Sequence, residues 1–344
     1  MPWTLAGAEG PKRALGGMLA SGRLPHAVLL TGPAGAGKFT LATDLAMAVN
    51  CEAPGAPGPP CGECVSCRKI REGIHPDVTV LAPRGRNARL PIDDVRAVRD
   101  ALNFKPFEGR VKTALVRSAD SFTEESGGAL LKTLEEPTPD TLIVLTAVSS
   151  QAVMPTLVSR CVSFRIPPLP REAILRGLSE RRGLSGAAAE LLAGLSGGAL
   201  GKALAIDPET ALRLREGLEG VFSRPRGPLR LSRAMRLASE MAAEYDKLKA
   251  PKEDPDNASA SGWLETAELS LRLWWRDAAV LGASGDAGLL DGPPPSRALA
   301  AFAGELEGDD LPAFEAACHR LVDGLGRFIR ADLLFENFWS AVLE

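Results

Sequence analysis

Three absences bound this chain before any motif is considered. No uninterrupted apolar run in its 344 residues approaches the roughly 18 to 20 residues that a membrane span needs. Residues 1–10 also lack the basic-then-apolar layout of a secretory signal. A cytoplasmic protein with no membrane partner is therefore expected. An excess of charge of one sign is missing too: 40 Lys and Arg against 43 Asp and Glu leave a net charge of −3. That balance excludes a wholly basic nucleic-acid binder and leaves any DNA contact local or shared with partners. Cysteine is scarce, with six residues in 36.2 kDa, too few for a secreted disulfide scaffold. Histidine is scarcer still. His26, His75 and His319 are each isolated in sequence and are read as core or turn residues rather than as ligands or bases.

What is present is an ordinary globular composition, 45% hydrophobic and 24% charged, long enough for two or three domains of roughly 150 residues each. The run His26-Ala27-Val28-Leu29-Leu30-Thr31 reads as a buried strand between Pro25 and Gly32, and the Gly- and Pro-free stretch 39–49 reads as a helix. Further strands are expected at 78–81, 113–116 and 142–145, separated by helices at 92–102 and 124–134. Such alternation predicts a parallel sheet covered by helices. Ile166-Pro167-Pro168-Leu169-Pro170 can continue neither a helix nor a central strand and reads as a hinge. Beyond it the pattern is helical: a small unit over 171–206 broken at Gly197-Gly198, then longer helices after Asp207-Pro208 with loops at 249–262 and 292–295. Trp274-Trp275-Arg276 fits an apolar helix better than a base-stacking platform.

Gly32-Pro33-Ala34-Gly35-Ala36-Gly37-Lys38 has the spacing of a phosphate-binding loop, whose backbone N–H groups and lysine cradle phosphates at a helix N-terminus. Gly32, Gly35, Gly37, Lys38, Phe39 and Thr40 are the candidate nucleotide-binding residues, for ATP or ADP. The residue after the lysine should be Ser or Thr to coordinate magnesium, but it is Phe39, with Thr40 one place late. The acidic pair that should end a later strand is replaced by Arg117 and Ser118, and the nearest carboxylate, Asp120, lies further on. Hydrolysis is therefore not expected. Passive nucleotide binding and a purely structural strand-to-helix turn both remain open.

Cys51, Cys61, Cys64 and Cys67 are spaced C-x9-C-x2-C-x2-C. Four thiolates close a tetrahedral shell, which predicts a structural zinc ion stapling the loop 52–60 rather than a catalytic one. Cys161, with no histidine near it in sequence, reads as a packing thiol.

Several of these strings are similar to bacterial clamp-loader subunits of DNA polymerase III. They are Gly22-Arg23-Leu24-Pro25-His26-Ala27 before the loop, the four-cysteine insertion after its helix, His75-Pro76-Asp77, Leu130-Leu131-Lys132-Thr133-Leu134-Glu135-Glu136-Pro137 and Ser159-Arg160-Cys161. The resemblance is dense over the first 170 residues and beyond them lies only in helical character and in segments such as 327–343. It implies an AAA+ α/β nucleotide-binding domain over 1–167 with a zinc module at 51–67, a helical lid over 168–206 and an all-α collar over 207–344. Two kinds of subunit share this layout in the family, the ATP-hydrolysing motor (gamma or tau) and the generally non-hydrolysing delta-prime. Departures from the motor at Phe39, Arg117 and Ser118, Gly201 where the motor's lid carries a nucleotide-sensing arginine, and a length of 344 residues favour the non-hydrolysing kind. The resemblance then implies that Arg160 is a finger reaching the ATP of a neighbouring motor. It also implies gamma/tau and delta subunits, a sliding clamp and primed DNA as partners. Lys132, Glu135 and Glu136 are expected on an exposed helix flank at a subunit interface. The alternative is a motor-type ATPase with a metal site rebuilt from Thr40 and Asp120.

Overall fold

The computed structural model describes residues 3–53, 58–84, 89–249, 258–307, 310–326 and 330–343. The chain divides into two compact units, Met1–Leu169 and Pro170–Glu344.

In the first unit the order is α1 (Glu9–Ala20), β1 (Ala27–Thr31), α2 (Lys38–Val49), α3 (Val65–Glu72), β2 (Val78–Leu81), α4 (Ile92–Leu102), β3 (Lys112–Val116), α5 (Glu124–Glu135), β4 (Thr141–Ala147), α6 (Pro155–Val158) and β5 (Val162–Arg165). The five strands form one sheet in the order β2-β3-β4-β1-β5, every neighbouring pair parallel. Parallel strands need long crossovers, and the crossover helices cover both faces, so the central strands are apolar on both sides. Val28 and Leu30 of β1 join Leu115, Leu142 and Val144 under α1 and α2. Ala27 and Leu29 join Ala114, Ile143 and Leu145 under α4 and α5. The edge strand β5 is mostly exposed, and its apolar content gave no strand signal. The expected hinge begins later than Ile166, whose N–H still donates to Thr31 O at 2.7 Å as an extension of the sheet.

Local chemistry sets several boundaries. Thr123 caps α5 in a reciprocal box with Ser126, which satisfies first-turn donors. Asp77, in the turn before β2, is fully buried, and its carboxylate accepts the N–H groups of Phe107, Glu108 and Gly109 at 2.7, 2.9 and 2.7 Å and pairs with Lys112 at 3.0 Å. Although burial opposes it, the backbone donors hold the Asp77 carboxyl far below the ordinary carboxylate range. His75 is buried between Ser66 Oγ, at 3.2 Å, and the N–H of Asp77, at 3.1 Å, a turn role of the kind expected for it.

The second unit is helical throughout its described residues: α7 (Arg171–Arg182), α8 (Gly186–Ser196), α9 (Leu200–Ala205), α10 (Pro208–Phe222), α11 (Pro228–Lys249), α12 (Ala258–Ser284), α13 (Arg297–Ala303), α14 (Asp310–Gly326) and α15 (Ala331–Leu343). Asp207 caps α10 by accepting the N–H of Thr210, with Pro208 at its first position, the arrangement favoured at helix starts. Of the loop expected over 249–262, residues 250–257 lie outside the described residues and Gly262 is already inside α12. Residues 327–329 of the segment 327–343 also lie outside them.

The core of this unit is aromatic. Phe222 stacks on Trp274 at 5.7 Å between centroids, Trp275 stacks on Phe314 at 4.3 Å, and Phe302 lies 4.1 Å from Phe222. Trp274 and Trp275 are almost wholly buried, so they are core residues and not a stacking platform. The Arg215 guanidinium lies 4.9 Å over the Trp274 ring. Replacing Trp274 by alanine is expected to cost about 3–5 kcal/mol, read as a lower urea midpoint for the second unit with an unchanged slope.

Candidate functional site

Strand β1 lies between β4 and β5, neither of which is next to it in sequence. Ligands of open α/β sheets bind at the carboxyl ends of strands where the order switches in this way. There the chain leaves Thr31 and turns through the glycine loop into α2. Gly32 has φ 151°, and a Cβ on it would lie 2.4 Å from Ile166 O; Gly37 has φ 85°, and a Cβ there would meet Leu5 at 2.3 Å. Both positions therefore require glycine. Among the described residues no side chain caps the start of α2, which leaves the first-turn N–H groups open to an anion. Lys38 Nζ folds back to donate to Gly32 O at 2.7 Å and Pro33 O at 2.8 Å. Burial lowers the Lys38 pKa, with the Asp120 charge acting in the opposite direction.

Phe39 and Arg117 are far apart in sequence but stack on one another, the guanidinium carbon 3.7 Å from the ring centroid. This is a cation–π contact. It joins the loop position that would offer magnesium a hydroxyl to the strand-end position that would offer it a carboxylate. An aromatic ring and a fixed positive charge do not form a magnesium shell, which needs oxygen ligands. The residues present therefore do not fit that ion. Ser118 has φ 53° and donates its N–H to Thr146 Oγ1 at 3.3 Å, while Thr146 donates to Val116 O at 3.2 Å. Thr40 and Asp120 are both exposed. Neither the Phe39–Arg117 pairing nor the role of Thr146 had a local sequence signal.

The four cysteines converge as expected. Their Sγ atoms all lie within 4.8 Å of one another, and tetrahedral thiolates about 2.3 Å from a zinc ion stand roughly 3.8 Å apart. Cys61 Sγ and Cys67 Sγ are 3.9 Å apart. Backbone N–H groups also point at the sulfurs: Glu63 and Cys64 donate to Cys61 at 3.5 and 3.3 Å, Cys61 to Cys51 at 3.5 Å, and Cys67 to Cys64 at 3.4 Å. Donors of this kind favour thiolate over thiol, and the Glu63 and Cys64 donors bring the Cys61 pKa down to about 6. Cys67 is driven the other way by burial. The donor set fits a tetrahedral metal. Of the loop it would staple, residues 54–57 lie outside the described residues.

Arg160 follows α6, at some remove in sequence from both groups. Nη2 donates to Glu135 Oε1 at the end of α5, and Nη1 donates to Thr156 O at 2.8 Å and Ser159 Oγ at 3.2 Å. Glu135 was legible only as a flank residue; its tie to Arg160 is new. Burial pushes the neighbouring Cys161 thiol up to about 11, which suits packing and not nucleophilic chemistry.

A parallel sheet in this order, with a glycine loop leaving an inner strand for a helix, has the architecture of a P-loop α/β domain. Residues 8–170 match the family model described as DNA polymerase III, delta subunit. DNA polymerase III subunit delta' of Pseudomonas aeruginosa is 38% identical over 148 residues, 43% of this chain and 44% of that protein. The delta' subunit of Bacillus subtilis is 34% identical over 159 residues, 46% of this chain and 47% of that protein. Subunit tau of Escherichia coli is 35% identical over 170 residues, 49% of this chain and 26% of that protein. Residues 8–170, just under half of this chain, are thus similar to clamp-loader subunits of DNA polymerase III. It spans less than half the length of these curated relatives. Among the described residues no helix is long and apolar enough to cross a membrane.

Proposed function

We propose that this chain is a non-hydrolysing, delta-prime-type member of a DNA polymerase III clamp loader, presenting Arg160 to the ATP of an adjacent gamma/tau motor. A guanidinium delivered in trans stabilises the charge that develops on the transferring phosphoryl group. The assembly, with a delta subunit, would place a sliding clamp on primed DNA. The observation that carries the non-hydrolysing half is the stacking of Arg117 on Phe39. It closes the metal position with positive charge, so ATP or ADP cradled by Gly32, Gly35, Gly37 and Lys38 stays intact. In this reading Cys51, Cys61, Cys64 and Cys67 hold a structural zinc ion. Residues 168–206 act as the lid and 207–344 as the oligomerising collar.

The motor alternative needs Thr40 and Asp120 to hold a metal. The isolated chain is expected to release no phosphate from ATP with magnesium present, and Lys38→Ala should leave that background unchanged. Steady hydrolysis that Lys38→Ala abolishes would establish the motor instead.

A further inference from the structure

The finger proposed above is not free. Arg160 Nη2 is tied to the Glu135 carboxylate, and Nη1 is shared between Thr156 O and Ser159 Oγ. Its Nε is buried with no hydrogen-bond partner among the described residues. A guanidinium grips a phosphoryl group best with two parallel N–H bonds from one edge. In this arrangement the edge bearing Nε is shut off from solvent and the edge between the terminal nitrogens is spent on the chain's own acceptors. The finger is therefore turned back against the subunit that carries it.

We infer that Glu135 is the positioning residue that holds Arg160 in this retracted state, to be displaced when a neighbouring nucleotide brings its phosphates up. The inference rests on the trans-finger reading. Three features support it. The pair lies at the surface, with 32% of the arginine side chain and 49% of the glutamate side chain exposed. Exposed pairs are weak and screened by salt, so a phosphate of higher charge can take the arginine from a single carboxylate. Helix α5, which ends at Glu135, is pressed against the start of α6, the short helix before Arg160: a Cβ on Gly127 of α5 would lie 2.5 Å from Met154 Sδ. That contact fixes Glu135 relative to Arg160 independently of the ion pair. Finally, Thr156 O and Ser159 Oγ belong to the turn that carries the arginine, so releasing Glu135 frees the guanidinium to swing without unfolding anything.

The consequence is a lowered idle rate. While no clamp or DNA draws the subunits together, the carboxylate competes for the finger and the neighbour's ATP is spared. Once the interface closes, the phosphates win and the carboxylate no longer matters.

The test is the ATPase of a loader reconstituted from this full-length chain with gamma/tau and delta subunits, comparing wild type, Glu135→Ala, Glu135→Gln, Glu135→Asp, Arg160→Ala and Glu135→Ala with Arg160→Ala, all assembled to equal stoichiometry. Rates are read without clamp and DNA and again with both. Glu135→Ala and Glu135→Gln should raise the idle rate by about 2- to 5-fold, the range of an exposed ion pair, while the stimulated rate stays put. Glu135→Asp should recover most of the restraint. The double variant should match Arg160→Ala in both rates, because a restraint on an absent finger does nothing. Added salt should raise the idle rate of wild type relative to Glu135→Ala. A lowered stimulated rate in Glu135→Ala, an unchanged idle rate, or a double variant that differs from Arg160→Ala overturns the inference while leaving the finger in place. Full activity in Arg160→Ala removes the finger itself, and this inference with it.

Discussion

Replacing Arg160 by alanine is expected, if the proposed trans role holds, to slow ATP hydrolysis at the adjoining motor site by about 10³-fold or more, the scale on which supplied arginines act in phosphoryl transfer. The size follows from where the charge is. In that role the guanidinium would do little for bound ATP but would meet the equatorial oxygens as the phosphoryl group detaches, so its loss should fall on the rate and hardly on affinity. Stability should be untouched, since Arg160 is partly exposed and its ion-pair partner Glu135 is half exposed. Motor sites that do not abut this chain should keep their own machinery. The right measurement is therefore a single-turnover burst with clamp and primed DNA present, in which the product of one site should be missing from the fast phase. An unchanged burst amplitude from a fully assembled complex would sink the trans role. Arg160→Lys should restore little, because an ammonium is a point charge without the planar fork.

Replacing Cys67 by serine is the second large effect. Structural zinc sites contribute about 10–16 kcal/mol of apparent binding free energy at neutral pH. Cys67 is one of the two buried members of the four, with Cys51, so a serine there removes a ligand that no solvent group can replace. Wild type should release one zinc per chain when its thiols are titrated with a mercurial, and Cys67→Ser should carry none. The damage should stay local. Asn50, just before Cys51, donates to Ala46 O and Val111 O and accepts the N–H groups of Arg110 and Val111 at 2.8 and 2.9 Å. These bonds hold the end of α2 without help from a metal. The variant should become sensitive to protease within 51–72 yet keep nearly all of its helical circular dichroism. Thiols that titrate with no metal released from wild type would remove the zinc assignment.

The central strands could be read from the sequence because burial on both faces makes them unbroken apolar runs, as in Ala27-Val28-Leu29-Leu30. Two elements of the same unit could not. β5 sits at an exposed edge and contributes Phe164 as its one half-buried apolar side chain, and α1 contains Gly10, Pro11, Gly16 and Gly17, residues that hide a helix held by Leu15 and Leu19 alone. The same division runs through the site. The glycine loop and the cysteine cluster were visible because their spacing in sequence is their chemistry. The stack of Arg117 on Phe39 and the leash from Glu135 to Arg160 were not, because each joins residues that only the sheet brings together. The sequence marked Phe39 and Arg117 as two separate losses of metal-binding capacity. In the fold they form one contact, each giving the other a partner.

The aromatic core of the second unit also makes the two halves of the molecule optically distinct. Of the five tryptophans, Trp263, Trp274, Trp275 and Trp339 are buried there, and Tyr245, the single tyrosine, is in the same cluster. The glycine loop and the cysteine cluster share a unit with Trp3 alone. Intrinsic emission therefore follows melting of the helical half almost exclusively, while the α/β unit is close to dark. A denaturation curve recorded by fluorescence and one recorded by ellipticity will report different events in this chain, and any gap between them measures how independently its two units unfold.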